Sequence, residues 1–232
     1  MTSAPSHSAL IGDWPVEHAD HGTWPPGGAL LHCHRREWEP DSFNGSENAE
    51  VRFSPIRRRP AGAAAGSSAT EVVPAWYGGS TAECAVAESL FHDVPVATGG
   101  ELAPDRYLHR RVSIIRPTRA LRLLRLDLDG VRALALDRWV FDCEAHEYRR
   151  TEELAQRLYD SHPDIDGLVW MSKRRNTDTA VVLYEAGGDG THTGGIRPGD
   201  IEPDPHPVRD FDDADDWDWL FLYGESIRIE VR

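Results

Sequence analysis

The segment 72–88 constrains the fold most, because it predicts a strand, a glycine turn and a helix in direct succession. Val72-Val73-Pro74-Ala75-Trp76-Tyr77 is rich in the β-branched and aromatic residues that are typical of strands, and it stops at Gly78-Gly79. Ser80, with Glu83 three residues later, predicts a capping box in which Ser80 is the helix N-cap. Such a unit indicates a sheet with helices packed against it.

Hydrophobic patterning along the rest of the chain predicts more strand than helix. The first helix is expected to end at Pro95, and a second helix is predicted over Arg149–Tyr159 with Thr151 as its N-cap. Apolar runs predict further strands at 111–115, 120–126, 168–171, 180–184 and 227–231. The expected fold class is α+β, with a mixed β-sheet core and flanking helices.

Polar and low-complexity segments mark the edges of the predicted core. Residues 1–30 are rich in Pro, Gly, His and Ser, and they are expected to form an irregular N-terminal extension to a single domain at 31–232. Loop insertions are expected near 57–70 and near 187–218. The basic run Arg57-Arg58-Arg59 is expected to be solvated.

Composition narrows the range of partners. The 232 residues carry a formal net charge of -14, which argues against direct binding to nucleic acid or to an anionic membrane surface. Three widely spaced cysteines predict neither a disulfide framework nor a zinc site, and with no signal peptide or spanning helix the expected location is the cytoplasm. The soft donors of His32-Cys33-His34 do not favour a metal site, because adjacent residues on an extended chain point in opposite directions.

Arg52 and Tyr77 are candidate ligand-binding residues. Arg52 stands next to Phe53 in a short segment that Pro55 stops, so its guanidinium is expected near a strand end, where it can clamp a pyrophosphate through two parallel hydrogen bonds. A solvated strand arginine is the alternative. Tyr77 precedes the glycine pair, where a ligand can approach the backbone closely, and its ring can stack on a cationic nicotinamide. A core tyrosine is the alternative there.

Glu88 is the candidate catalytic residue, and Ser172 is a candidate supporting hydroxyl. On the predicted helix Glu88 lies over Cys84 and Ala85, small side chains that leave room for a ligand. A carboxylate there can stabilise the positive charge that develops on a ribose carbon when an N-glycosidic bond breaks. Ser172 ends an apolar strand and can orient Arg52, a phosphate or a ribose hydroxyl. An exposed helix glutamate and a plain strand-end serine are the alternatives.

Taken in order, these residues resemble the RES domain family, which is named for an arginine, a glutamate and a serine. Arg52, Glu88 and Ser172 occupy those three places in this chain. The best-matching segment is 77–88, and the resemblance extends over about 31–231 with enlarged loops. It implies a fold similar to that of ADP-ribosyltransferase toxins and an activity that consumes NAD.

The same resemblance implies a role for each candidate residue. Arg52 would hold the phosphates of NAD, Tyr77 would stack on the nicotinamide or its ribose, Glu88 would stabilise the ribosyl cation, and Ser172 would support the bound dinucleotide. NAD is expected as substrate, and no metal is expected. Cleavage of the nicotinamide–ribose bond by a glycohydrolase or a phosphorylase is the leading interpretation.

The resemblance also implies partners and leaves alternatives open. Many proteins of this kind look like toxins of toxin–antitoxin systems, so the expected protein partner is a helix-turn-helix antitoxin that blocks the active site. A homodimer is left open. Two alternatives to NAD degradation remain: ADP-ribosyl transfer to a protein target, and a non-catalytic domain that retains the fold and binds another protein.

Overall fold

The computed structural model describes residues 14–48, 51–64, 66–94 and 98–232. The strands are β1 (His21–Trp24), β2 (Leu30–Arg35), β3 (Ile56–Arg58), β4 (Glu71–Val73), β5 (Ala75–Gly79), β6 (Gly100–Leu102), β7 (Arg110–Pro117), β8 (Leu121–Arg125), β9 (Gly167–Met171), β10 (Thr179–Tyr184), β11 (Ile201–Pro203), β12 (Arg209–Asp210) and β13 (Ile229–Val231). The helices are α1 (Ala82–Ser89), α2 (Pro104–Tyr107), α3 (Leu128–Ala133), α4 (Trp139–Asp142), α5 (Tyr148–Ser161) and α6 (Ala214–Ser226). Short 3-10 helices lie at Val16–His18 and Ala145–Glu147.

One large mixed sheet dominates the described part of the chain. Its strands follow the order β1-β8-β9-β10-β5-β2-β7-β11, and β12 also pairs with β7. Neighbouring strands are antiparallel except for the parallel pair β8 and β9. Two small sheets, β3 with β4 and β6 with β13, lie beside it. The expected α+β class with a mixed β-sheet core and flanking helices is therefore confirmed.

Strand β10 shows how the core is built on both faces of the sheet. Ala180, Val182 and Tyr184 belong to the apolar cluster that includes the buried face of α5. Val181 and Leu183 alternate with them and belong to a cluster on the opposite face. All five are fully buried, as expected for a central strand that is covered on both sides.

Most predicted strands are present, and one is divided. The strands expected at 111–115, 120–126, 168–171 and 180–184 correspond to β7, β8, β9 and β10, a prediction that is confirmed. The strand expected at 227–231 is present as β13 but is shorter, because Ile227 is the C-cap of α6. The single strand expected over Val72–Tyr77 is instead two, β4 and β5, with Pro74 between them. Proline has no backbone N–H to donate to a ladder, so the pairing partner changes at that residue.

Helix α5 begins earlier than the sequence indicated. Thr151 was expected to be the N-cap, but it lies within α5 and is completely buried. Its hydroxyl donates a hydrogen bond to the carbonyl of Tyr148 at 2.8 Å. The preceding 3-10 turn carries the capping box instead, between Glu144 and Glu147.

Two segments that were expected to be irregular contain regular structure. Residues 1–13 and Pro95 lie outside the described residues, but strand β1, within the expected extension 1–30, pairs with β8 at one end of the sheet. The segment 187–218 contains β11, β12 and the first residues of α6. Asp213 caps α6, and Asp215 and Asp216 lie in its first turn, where negative charge is favourable.

The basic run after Ser54 is only partly solvated. Arg58 is 8% exposed, and its Nε donates a hydrogen bond to the Glu71 carboxylate at 2.8 Å across the pair β3 and β4. The prediction that this arginine is solvated is wrong, because the short hairpin turns its side chain towards Glu71 and the carbonyl of Glu185. Among the described helices, none combines the length and the apolar character that are needed to cross a membrane.

Candidate functional site

The candidate site is a cleft at the point where β2 and β5 part. These two neighbouring strands share one residue pair, Leu31 opposite Gly79. Beyond that pair a cavity of about 490 Å³ opens between them. Six aromatic side chains line it: Trp38, Phe43, Trp76, Tyr77, Tyr148 and Trp170. A cleft of this size with an aromatic lining and a few polar groups is typical of a small-ligand site.

Helix α1 brings Glu88 to the cleft. A Cβ atom on Gly79 would lie 2.9 Å from Sγ of Cys84, so the glycine lets the end of β5 approach the helix closely. The capping box expected at Ser80 is wrong by one residue: Thr81 is the N-cap, and its Oγ1 accepts from the Cys84 N–H at 3.1 Å. The Ser80 side chain contacts the sheet instead: its Oγ accepts a hydrogen bond from the N–H of Thr179.

Glu88 and Ser172 are in direct contact. The Ser172 hydroxyl donates a hydrogen bond to Oε1 of Glu88 at 2.6 Å, although the two residues are 84 positions apart in the sequence. Ser172 is fully buried at the end of β9, and its oxygen accepts from the N–H of Arg175 at 3.1 Å. The serine therefore fixes the orientation of a carboxylate that lines the cavity.

Tyr77 is held by its hydroxyl. That group donates a hydrogen bond to the carbonyl of Arg52 at 2.6 Å, and the ring packs edge-on against Trp170 with 6.4 Å between centroids. Burial raises the pKa of the Tyr77 hydroxyl above its usual value, so it remains a neutral donor. Its expected stacking on nicotinamide stays a prediction.

Arg52 is more deeply enclosed than the sequence indicated. It is 7% exposed, and both terminal nitrogens donate to backbone carbonyls: Nη1 to Val140 and Phe141, and Nη2 to Cys143 at 3.3 Å. Its guanidinium also lies 5.5 Å from the centre of the Tyr148 ring. These contacts occupy the fork that was expected to clamp phosphate, so that role stays a prediction.

His32 is a cleft residue whose role the sequence did not reveal. Its ring lies 4.9 Å from that of Trp76, and its Nδ1 is 2.6 Å from the carbonyl of Tyr77. Since a carbonyl can only accept, the hydrogen is on Nδ1 and Nε2 carries a lone pair. Burial, together with the smaller effect of the neighbouring His34, lowers the pKa of His32 to about 3. The imidazole is therefore neutral at physiological pH.

Three more cleft residues were missed: Trp38, Arg110 and Tyr148. Tyr148 had a usable signal, because with Thr151 and Ala155 it forms an i, i+3, i+7 stripe on α5. Trp38 follows β2 in an irregular segment, and Arg110 is the first residue of β7. Nothing in their local sequence distinguishes these two from surface residues.

Other features of the described residues do not compete with this cleft. A second opening of about 430 Å³ lies along β1, β8 and β9, and it shares only Trp170 with the first. No group of three or more His, Cys, Asp or Glu side chains in the described ranges is arranged to hold a metal ion. His32 and His34 form a stacked pair with 5.3 Å between ring centroids, and within the described ranges no third side chain of this kind completes a metal site with them.

Comparisons with known proteins address the family directly. The family model described as "RES domain" matches residues 29–198. The fold is similar to a chain in the crystal structure of the M. tuberculosis MbcT–MbcA toxin–antitoxin complex, with a TM-score of 0.53 and 14% sequence identity over 83% of this chain and 91% of that one. No curated protein sequence matches. Since the family model covers most of the chain, including Arg52, Tyr77, Glu88 and Ser172, this protein belongs to the RES domain family.

Proposed function

We propose that this protein is an NAD-degrading enzyme that cleaves the bond between nicotinamide and ribose. The hydrogen bond of 2.6 Å from Ser172 to Glu88, in an aromatic cleft of about 490 Å³, carries this proposal. It supplies a fixed carboxylate beside a space that can take a dinucleotide. Membership of the RES domain family supports the same substrate.

The chemistry needs stabilisation of one developing charge. When the C1′–N bond breaks, its electron pair goes to the nicotinamide nitrogen, which becomes neutral, and positive charge develops on the ribose. The Glu88 carboxylate, oriented by Ser172, stabilises that charge. Water or inorganic phosphate then bonds to C1′ and loses a proton, which yields ADP-ribose or its 1-phosphate.

Aromatic side chains favour the cationic form of the leaving group. Oxidised nicotinamide carries a positive charge, and the faces of Tyr77, Tyr148 and Trp170 attract such a ring. The attraction weakens once nicotinamide becomes neutral, which favours its release. Arg52 contributes by accepting the Tyr77 hydrogen bond at its carbonyl, so it keeps that ring in place.

A toxin role with a protein antitoxin follows from the structural likeness. The neighbour of known structure is a toxin–antitoxin complex, and an enzyme that consumes NAD would need an inhibitor in its own cell. We expect induced expression of this chain to lower cellular NAD and arrest growth, and co-expression of a helix-turn-helix protein encoded beside it to restore both. Growth arrest at unchanged NAD would contradict the proposed activity.

Purified protein tests the chemistry directly. NAD is incubated with wild type, Glu88→Gln and Glu83→Gln, with and without phosphate, and nicotinamide release is followed by chromatography. Glu83 is the matched control, since it lies in the first turn of the same helix and does not line the cleft. Glu88→Gln is expected to lower kcat roughly 100-fold or more, which is the usual size of such electrostatic stabilisation, while Glu83→Gln retains wild-type turnover.

The products separate the possible acceptors. ADP-ribose formed without phosphate indicates hydrolysis, whereas ADP-ribose 1-phosphate formed only with phosphate indicates phosphorolysis. Label that moves from NAD to a protein would favour the transferase alternative. No nicotinamide release under any of these conditions would reject the proposal and favour the non-catalytic alternative.

A further inference from the structure

A pyrophosphate in the cleft needs a cation whose hydrogen-bond donors are not already engaged. A dinucleotide carries two negative charges on its pyrophosphate, and arginine is the side chain best suited to bind them. Among the cavity-lining residues, the arginines are Arg52 and Arg110. The terminal nitrogens of Arg52 already donate to the carbonyls of Val140, Phe141 and Cys143. Its two terminal nitrogens are therefore engaged by the protein itself, while its Nε is buried without a hydrogen-bond partner among the described residues.

Arg110 differs from the arginines around it. It is half-buried at the start of β7, and its side chain forms no ion pair with a carboxylate of the described residues. Its neighbour Arg111, by contrast, donates from Nε to the Asp210 carboxylate at 2.9 Å. Arg35, which is opposite Arg110 on β2, lies 3.8 Å from the Glu37 carboxylate. Arg110 thus brings an uncompensated positive charge to the cleft.

The surroundings place Arg110 close to the turn that carries Glu88. Cys33 and Arg110 lie on the same face of the pair β2 and β7, since Cys33 is opposite Val112 and Arg110 is opposite Arg35. Cys33, Arg110 and Ser89, the residue directly after Glu88 on α1, all line the cavity. In a nicotinamide dinucleotide the pyrophosphate is attached to the same ribose whose C1′ reacts. Arg110 lines the same cavity as Glu88, which suits the short separation between the pyrophosphate and C1′.

We propose that Arg110 is the residue that binds the pyrophosphate of the dinucleotide, in place of Arg52. This assignment rests on the proposed function for the identity of the ligand, and it extends to nucleoside diphosphates in general. Arg110 lies on the β7 side of the cleft, whereas Ser172 fixes Glu88 from the β9 side. The ligand is therefore held from both sides of the opening between β2 and β5.

Binding measurements with ADP and adenosine test the assignment without any turnover. Isothermal titration calorimetry is performed on wild type, Arg110→Met, Arg110→Lys and the control Arg149→Met. Arg149 is matched because its loss also removes one positive charge, but its side chain is 89% exposed and lies outside the cleft. Arg110→Met is expected to weaken ADP binding about 10- to 100-fold, which is the range for a lost charge-assisted interaction.

The other variants make the result specific. Arg110→Lys keeps the charge without the fork, so its ADP affinity is expected to lie between those of wild type and Arg110→Met. Adenosine affinity is expected to be the same in all four proteins, and Arg149→Met is expected to bind ADP as wild type does. If circular dichroism shows that Arg110→Met does not fold, the loss of ADP affinity in Arg110→Lys decides whether the assignment holds. Equal ADP affinity in wild type and the folded Arg110 variants overturns the assignment, as does absence of ADP binding to wild type.

Kinetics separate this inference from the proposed function. Because Arg110 contacts a part of NAD that does not change charge in the reaction, its loss is expected to raise KM and to leave kcat within about threefold of wild type. NAD cleavage with a KM that is unchanged in Arg110→Met would reject the inference and leave the function standing. Arg110-dependent ADP binding without nicotinamide release would reject the function and leave the binding site.

Discussion

Arg52 illustrates how one residue type can serve structure where the sequence suggested ligand binding. Its guanidinium joins the turn before β3 to the segment 140–143. Arg52 and Phe141 are 89 positions apart in the sequence. The carbonyls that it binds come from the end of α4, where a helix leaves its last C=O groups without intrahelical partners. Its charge is thus used to cap a helix end inside the protein.

We expect Arg52→Met to lower stability strongly. The change leaves the buried carbonyls of Phe141 and Cys143 without the Arg52 donor, which costs about 3 kcal/mol on the scale of hydrogen bonds to charged groups. Urea unfolding followed by circular dichroism measures the loss. Arg149→Met serves as the control, and an Arg52→Met variant as stable as wild type would show that these bonds contribute nothing.

We expect Ser172 to act on the proposed reaction through Glu88. We expect Ser172→Ala to lower kcat about 10-fold, since the carboxylate loses the bond of 2.6 Å that orients it. In the Glu88→Gln background the same change is expected to have little further effect, because two residues that act as one unit are not additive. Steady-state kinetics of the four proteins measures this coupling. Additive losses would mean that Ser172 serves the ligand independently of Glu88.

Helix α1 is the element on which the site depends most. Its N-cap Thr81 has two contacts: Oγ1 accepts from the Cys84 N–H at 3.1 Å and donates to the Asp178 carboxylate at 2.7 Å. The same carboxylate accepts from Nε of Arg175 at 3.1 Å, next to the loop that holds Ser172. The cap therefore joins the two chain segments that carry Glu88 and Ser172.

We expect Thr81→Ala to cost about 1 kcal/mol of stability, the usual value of an N-cap. Thr81→Ser keeps the oxygen and is expected to retain most of that stability. Thermal unfolding of both variants distinguishes the cap from the Thr81 methyl group. Equal losses in the two variants would assign the effect to packing and reject the cap as its cause.

At the scale of the whole molecule, buried histidines couple stability to pH. The unfolded chain protonates His32 near 6.5, whereas the folded protein resists protonation until about 3. Between these values the unfolded state binds more protons, so stability falls as pH is lowered below 6.5. Burial also lowers the pKa of His34, and partial desolvation together with the nearby Arg122 lowers the pKa of the exposed His21; both effects act in the same direction.

We expect the free energy of unfolding to decrease between pH 7 and pH 5, by at most ~1.4 kcal/mol per pH unit for His32. The actual slope is expected to be smaller, because the ring borders a cavity and is not completely enclosed. His32→Gln is expected to flatten the profile partly, and the remaining slope belongs to the other histidines. Urea unfolding at four pH values provides the measurement; an unchanged slope in His32→Gln would show that this imidazole is not the one responsible.

The sequence by itself determined the local elements and the residues that could do chemistry. The strand, glycine turn and helix at 72–88, the strands β7 to β10, and the α+β class follow from periodicity and turn residues that act over a few positions. Glu88 could be singled out because its helix neighbours are small. The family was recognisable from the order of Arg52, Glu88 and Ser172, which belongs to the sequence alone.

Only the tertiary structure decided which of those residues meet and which of their groups remain available. The contact between Glu88 and Ser172 spans 84 positions, and it exists because α1 packs against β5 and β10, and the end of β9, the next strand of the sheet, carries Ser172. The same long-range packing turned the Arg52 fork towards carbonyls and brought Arg110 to the cleft. Periodicity reports which face of an element is apolar, but it carries no information on the distant backbone group that a buried charge finds.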